Sequence, residues 1–212
     1  MKTYLTKMKL DLANRPNPRP LTGAQLNARR SRMARSMPSV SYDARRSIIA
    51  SYCDHLHDHD HLIQYAVTLQ TNLIPAETPR QLEWQFGVLK ENFRHFCNRL
   101  NQDVYGNCHK RKPEQFSLLI LPVIQGALFS PYGARTLHYH LALGNVPAEF
   151  DLKTLSTLIR RNWKTVRVAR DDTDTRPADP GWQTYITGEV EQGHIASIDY
   201  DNWHVPHEVL SL

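Results

Sequence analysis

No stretch of the 212-residue sequence approaches the roughly 18 to 20 uninterrupted apolar residues that a membrane-spanning helix needs, and residues 1–20 lack the apolar core of a secretory signal. A cytoplasmic protein with no membrane partner is the expectation. Cysteine is scarce and odd in number. Cys53, Cys97 and Cys108 are spaced too widely for a disulfide framework or a CxxC zinc knuckle, so reduced thiols are expected. There is no internal repeat and no P-loop motif for binding a nucleotide. What is present, 41% hydrophobic and 22% charged residues, excludes a chain disordered throughout.

The formal charge of +5 is unevenly placed. Residues 1–46 hold 11 Lys or Arg against Asp11 and Asp43, so the remainder carries 15 basic and 19 acidic residues. Arg29, Arg30, Arg32 and Arg35 in residues 27–35 (NARRSRMAR), with Arg45 and Arg46 beyond, have the density of an arm that neutralises phosphates or an anionic surface. The same density also suits a solvated tail that keeps the protein in solution. Pro16, Pro18 and Pro20 mark residues 1–22 as an extended leader, and residues 23–52 have too few large apolar side chains to build a core, so 1–52 is expected as an arm and 53–212 as the folded domain.

Residues 62–70 (LIQYAVTLQ) alternate, with Ile63, Tyr65, Val67 and Leu69 on one face, as a strand with one buried face does. Thr78, Pro79 and Gln81 then read as a capping box opening a long helix, whose stripe of Leu82, Phe86, Leu89, Phe93, Phe96, Cys97, Leu100 and Val104 runs up to Gly106. Residues 116–125 and 136–144 read as an antiparallel hairpin around a loop at 126–135. Asp151 caps a second helix with Leu155, Ile159 and Trp163 inward, residues 165–169 read as a short strand, and Asp179 and Pro180 open a third helix through Trp182, Tyr185, Ile186 and Val190. This order predicts an α+β fold, a central antiparallel sheet with helices packed on one face, of ferredoxin-like type.

In residues 136–144 (TLHYHLALG) the alternation puts His138 and His140 on one face, with Cα atoms roughly 6.5 Å apart, close enough for both rings to reach one metal ion. An HxH pair alone is a weak signal. Its setting, residues 135–147 (RTLHYHLALGNVP), resembles the HUH motif of rolling-circle replication initiators, relaxases and single-strand transposases. Residues 181–188 (GWQTYITG) resemble the nucleophile helix of that superfamily, and residues 197–206 (SIDYDNWHVP) the tail that follows it in plasmid and mobile-element initiators. The resemblance covers about residues 60–207 and points to the single-tyrosine initiator type.

The resemblance implies a ferredoxin-like, RRM-like HUH fold and a single-stranded or hairpin DNA endonuclease and strand transferase. His138 and His140 would hold Mg²⁺ or Mn²⁺, and Tyr185 would form a 5′-phosphotyrosine and release a 3′ hydroxyl. The third ligand usual in the superfamily falls to Gln125, with Gln70 and Thr68 as second choices. A host helicase would separate the strands. At the position three residues after the tyrosine, where initiators carry lysine, this chain has Gly188, and Arg167, Arg170 or the arm are the candidate replacements.

Two other readings stay open: an origin- or hairpin-binding module that does not cut, and a metal-dependent hydrolase built on His55, His57, His59 and His61. Those four histidines would share a face in a strand and form a solvated patch in a loop, and a loop is expected.

Overall fold

The computed structural model describes residues 42–58, 60–127, 136–191 and 194–206. Arg29, Arg30, Arg32 and Arg35, and with them most of the expected arm, lie outside the described residues. The elements are α1 (Tyr42–Asp58), β1 (Ile63–Thr71), α2 (Pro79–Tyr105), the short α3 (Asn107–Arg111), β2 (Leu119–Gln125), β3 (His138–Gly144), α4 (Leu152–Lys164), β4 (Ala169–Pro177) and α5 (Trp182–Glu191). The four strands form one antiparallel sheet in the order β2-β3-β1-β4. From β1 to β4 the succession strand, helix, strand, strand, helix, strand in this order is the split βαβ arrangement of ferredoxin-like proteins, an α+β fold.

Local signals set the helix boundaries. Thr78 caps α2, its hydroxyl accepting from the Gln81 amide at 3.4 Å and donating to Gln81 Oε1 at 2.9 Å, with Pro79 at the first helical position where a missing N–H costs nothing. Gly106, at φ 59°, ends the helix in a region that favours glycine. Asp151 caps α4 by accepting from the Thr154 amide at 2.7 Å.

Helices cover both faces of the sheet, not one. On the first face the α2 stripe and Leu155, Ile159 and Trp163 of α4 bury Val67, Leu69, Ile120, Ile124, Tyr139, Leu141 and Leu143. On the second, Trp182, Ile186 and Val190 of α5 and Tyr52 of α1 close over Ala66, Leu121, Val123 and Ala142. A register irregularity between Ile63 and Tyr65 turns Ile63 to this second face, against the simple alternation expected for β1. The second layer escapes a reading by periodicity because on the central strands its sheet face carries alanines, Ala66 and Ala142, and two histidines.

Three further expectations are corrected. Of residues 165–169 only Ala169 is strand, as the first residue of β4: Thr165 closes α4 and residues 166–168 turn, with Val166 N–H donating to the Trp163 carbonyl at 2.8 Å. Val166 and Val168 mimic a strand because both are buried in the core from that turn. The strand follows at β4, whose sequence ARDDTDTRP has no apolar alternation because it is an exposed sheet edge. Finally, α1 runs straight across the boundary expected at residue 52 and carries Asp54 to Asp58 as helix, where a loop was expected. The side chains of His55 and His57, and all of His59, lie outside the described residues. Tyr52 is buried and stacks on Trp203 (5.2 Å between ring centroids, 28°), which ties α1 to the C-terminal segment.

That segment wraps the β2 edge. Ile120 and His204 exchange backbone hydrogen bonds of 2.8 and 3.0 Å, and the Asp199 amide donates to the Pro122 carbonyl at 3.4 Å. The Asp199 carboxylate is fully buried. It accepts from Tyr139 Oη at 2.8 Å and Asn202 Nδ2 at 2.7 Å and lies 3.9 Å from Lys90 Nζ, and burial still raises its pKa. Among the described residues no helix is long and apolar enough to cross a membrane.

Tyr139→Phe keeps the ring that stacks on Phe93 and removes the phenol that reaches Asp199. We expect a loss of about 1–3 kcal/mol in urea unfolding, the cost of stripping a donor from a buried acceptor. A loss below about 0.5 kcal/mol would show that Asn202 and Lys90 satisfy the carboxylate alone.

Candidate metal and nucleophile site

The histidine strand β3 lies inside the sheet, between β2 and β1, and both of its faces are covered. His138 and His140 point to the second face, as alternation requires, and both are buried. Their Nε2 atoms face one another at 3.1 Å. Each Nδ1 is held from behind: that of His138 lies 2.9 Å from the Thr136 carbonyl, that of His140 3.0 Å from the Thr68 hydroxyl.

These contacts determine what the pair can do. A carbonyl only accepts, so His138 donates through Nδ1–H and its Nε2 carries a lone pair. The Thr68 hydroxyl can donate or accept, which gives the pair two ways to be satisfied. Thr68 donates to His140 Nδ1 while His140 Nε2–H donates to His138, or Thr68 accepts from Nδ1–H and both Nε2 lone pairs turn to a cation. Atoms 3.1 Å apart can both reach one ion at the usual metal–nitrogen distance of about 2.0–2.1 Å. Burial lowers the pKa of both imidazoles, and for His140 the neighbouring His138 and Arg176 lower it further. Both rings are therefore neutral near pH 7, the form that binds a metal. The donor set fits a divalent ion.

Among the described residues no third His, Cys, Asp or Glu joins the pair in a metal-binding group. Gln125 stands directly across from His138 in the β2–β3 ladder, as the hairpin leads one to expect. Its amide nitrogen, however, donates to the Tyr185 and Ile186 carbonyls at 3.1 and 3.0 Å, so Gln125 tethers α5 to the histidine strand, and any ligation would fall to its Oε1. Of the second choices, Thr68 touches His140 and Gln70 accepts from the Thr136 hydroxyl at 3.4 Å.

Helix α5 lies over the pair. Trp182 is buried, donates through Nε1 to the Leu141 carbonyl at 3.0 Å and meets His140 edge-on, with 5.2 Å between centroids. Tyr185 stacks on Trp182 (5.3 Å, 22°) and meets the same imidazole edge-on at 4.9 Å, yet remains 56% exposed. It sits at the end of the first helical turn, its amide donating to the Gly181 carbonyl, one turn earlier than counting from Asp179 places it. One turn on, the buried Glu189 accepts from the Gly126 amide at 2.7 Å. Gly126 has φ 93°, and a Cβ there would run into the Thr136 carbonyl and stand 3.3 Å from His138 Nδ1, so glycine alone fits this corner beside the two histidines.

Gly188 neither ends α5 nor permits a close approach: the helix continues to Glu191, and a Cβ at 188 would meet nothing within 4 Å. Arg46, Arg167 and Arg170 are exposed, and the side chain of Arg45 lies outside the described residues. The guanidinium that packs on α5 belongs to Arg176, 5.5 Å from the Trp182 ring centroid. Sequence reading missed it because β4 itself has no strand-like pattern.

The depressed imidazole pKa values make stability pH-dependent in a defined direction. In the unfolded chain both rings titrate near ~6.5, and in the fold they bind a proton less readily. Their stabilising contribution is whole above about pH 6.5 and is lost as the pH falls below it and through the folded values. Urea titrations in EDTA should show a drop in stability from pH 7.5 to 5.5, and the drop should be smaller in His138→Gln/His140→Gln. An equal drop in the variant would place the pH dependence elsewhere.

At Gly188, alanine should raise stability by about 1 kcal/mol, the difference in helix propensity. Destabilisation would show that the position is crowded. No family model, no curated protein and no solved structure matches this chain.

Proposed function

We propose that the protein is a metal-dependent single-stranded DNA endonuclease and strand transferase of the HUH type, which initiates rolling-circle replication or mobilises an element. One observation carries the reading: an exposed tyrosine on a helix that a stacked tryptophan and a glutamine amide fasten directly over two buried, neutral histidines whose Nε2 atoms converge. A structural aromatic on an amphipathic helix would turn inward, as Trp182 and Ile186 do, whereas Tyr185 faces solvent beside the histidines.

His138 and His140 would hold Mg²⁺ or Mn²⁺. When bound, the ion acts as a Lewis acid that polarises a phosphoryl oxygen. The chain's own groups do the rest. Thr136 and Thr68 hold the imidazole rings by their outer nitrogens, so the inner ones stay aimed. Trp182 and Gln125 hold α5 so that the phenol is kept over the pair. Tyr185 Oη attacks the phosphorus, the bond from phosphorus to the 3′ oxygen breaks, the phenol proton is released and the leaving 3′ oxygen takes one up. The product is a 5′-phosphotyrosine with a free 3′ hydroxyl, which can reverse the step and join the strand elsewhere without a nucleotide cofactor.

Labelled hairpin and single-stranded oligonucleotides, incubated with Mn²⁺ or with EDTA, should give a covalent adduct on a denaturing gel only with the metal. Tyr185→Phe should abolish the adduct and keep DNA binding. His138→Ala/His140→Ala should abolish it and leave the salt dependence of binding nearly unchanged, because that dependence reports phosphate contacts by Lys and Arg. An adduct surviving in Tyr185→Phe would remove the nucleophile assignment. Binding to hairpin DNA with no adduct from the unaltered protein would mean a module that recognises an origin without cutting it, the outcome that Gly188 in place of lysine favours.

A further inference from the structure

Strand β4 brings a single charged side chain up to the tyrosine's helix. Arg176 pairs with Ala66 across the ladder and so lies on the sheet face that carries Ala142 and the two histidines. Its guanidinium carbon is 5.5 Å from the centroid of Trp182, and Trp182 in turn stacks on Tyr185. Its charge reaches His140, whose imidazole it helps to keep neutral. Half of the side chain is exposed, and its ion pair with the equally exposed Asp179, at 3.9 Å, is of a kind worth little in water.

The surroundings make this cation distinctive. By strand alternation Asp174 shares the face with Arg176, and the register of Thr68 with both Asp174 and His140 puts Asp174 in the row of the metal-ligand histidine, two strands away. A polyanion crossing β4 toward Tyr185 meets a repelling carboxylate at Asp174 and an attracting guanidinium at Arg176, while the strand's other cation, Arg170, lies in the register irregularity between Thr173 and Ala169. A guanidinium also presents a planar fork of donors matched to phosphate oxygens, and the Trp182 face pre-orients it.

We propose that Arg176 grips a backbone phosphate of the DNA strand next to the one that Tyr185 attacks, supplying from the sheet the positive charge that position 188 of α5 lacks. The neighbouring phosphate is the one chosen because the Trp182 ring intervenes between the guanidinium and Tyr185 in the chain of contacts. The inference rests on the strand-nicking reading and makes Arg176 a substrate-positioning residue of that site.

The test uses the full chain and a single-stranded oligonucleotide that the protein nicks or binds, unmodified or with one neutral methylphosphonate at successive positions around the cleavage point. Arg176→Gln should reduce the magnitude of the log Kd against log salt slope by about 0.7, the value for one phosphate contact on a single strand. It should also raise the DNA concentration needed for half-maximal adduct severalfold while changing the limiting rate less. Arg176→Lys should restore the slope. Neutralising one flanking phosphate should weaken binding by the unaltered protein and leave Arg176→Gln indifferent. A purely structural cation–π role predicts instead a lowered melting temperature with an unchanged slope, and that result overturns the proposal while a metal-dependent adduct keeps the nicking reading intact. No adduct from the unaltered protein, with the slope change still present, overturns the nicking reading and keeps Arg176 as a phosphate contact.

Discussion

Burial of β3 on both faces is the constraint on which the site depends. One face of the strand places Tyr139, Leu141 and Leu143 in the larger core, and the other points His138 and His140 into a space roofed by α5. Imidazoles so placed cannot stay charged without a partner, and they cannot swing away without opening the sheet. The fold thereby fixes both their protonation and their direction before any ligand arrives. The cost is that each outer nitrogen must find a partner, and Thr136 and Thr68 supply them.

Tyrosine and histidines lie on different elements, and side chains at both ends of α5 fasten it to the sheet. Gln125 holds α5 by two carbonyls, Glu189 holds the Gly126 corner, Trp182 bonds to the Leu141 carbonyl and stacks under Tyr185. The three partners on the sheet side, Gln125, Gly126 and Leu141, lie on β2, in the corner after it and on β3. The hairpin that carries the two histidines also carries the anchor of α5, so their relative placement depends on short-range geometry and little on the distant α2 and α4.

Much of this was legible in the sequence, and the failures share a physical cause. The long α2, the hairpin, the caps at Thr78 and Asp151, and the inward face of β3 follow from periodicity and capping chemistry, which act locally. The HxH pattern and the tyrosine segment pointed to one site, and the fold brings them within 5 Å of each other. What escaped was everything decided by tertiary partners. The second helical layer, the β4 edge and Arg176 depend on neighbours far along the chain. Gln125 was picked out by position, but the bonds its amide makes could not be read from spacing. Val166 and Val168 misled because burial in a turn and burial in a strand leave the same two-residue trace.

The two edges of the sheet are finished differently. The β2 edge is capped by the segment from Ile198 to His204, whereas among the described residues no strand pairs with the outer edge of β4, which carries five charges in nine residues. Two copies of the protein that joined β4 to β4 antiparallel about Thr173 would set Asp172 of each against Asp174 of the other, carboxylate facing carboxylate twice over. The open edge therefore discourages pairing with its own kind, and its acidic side chains keep the sheet from growing into a ribbon.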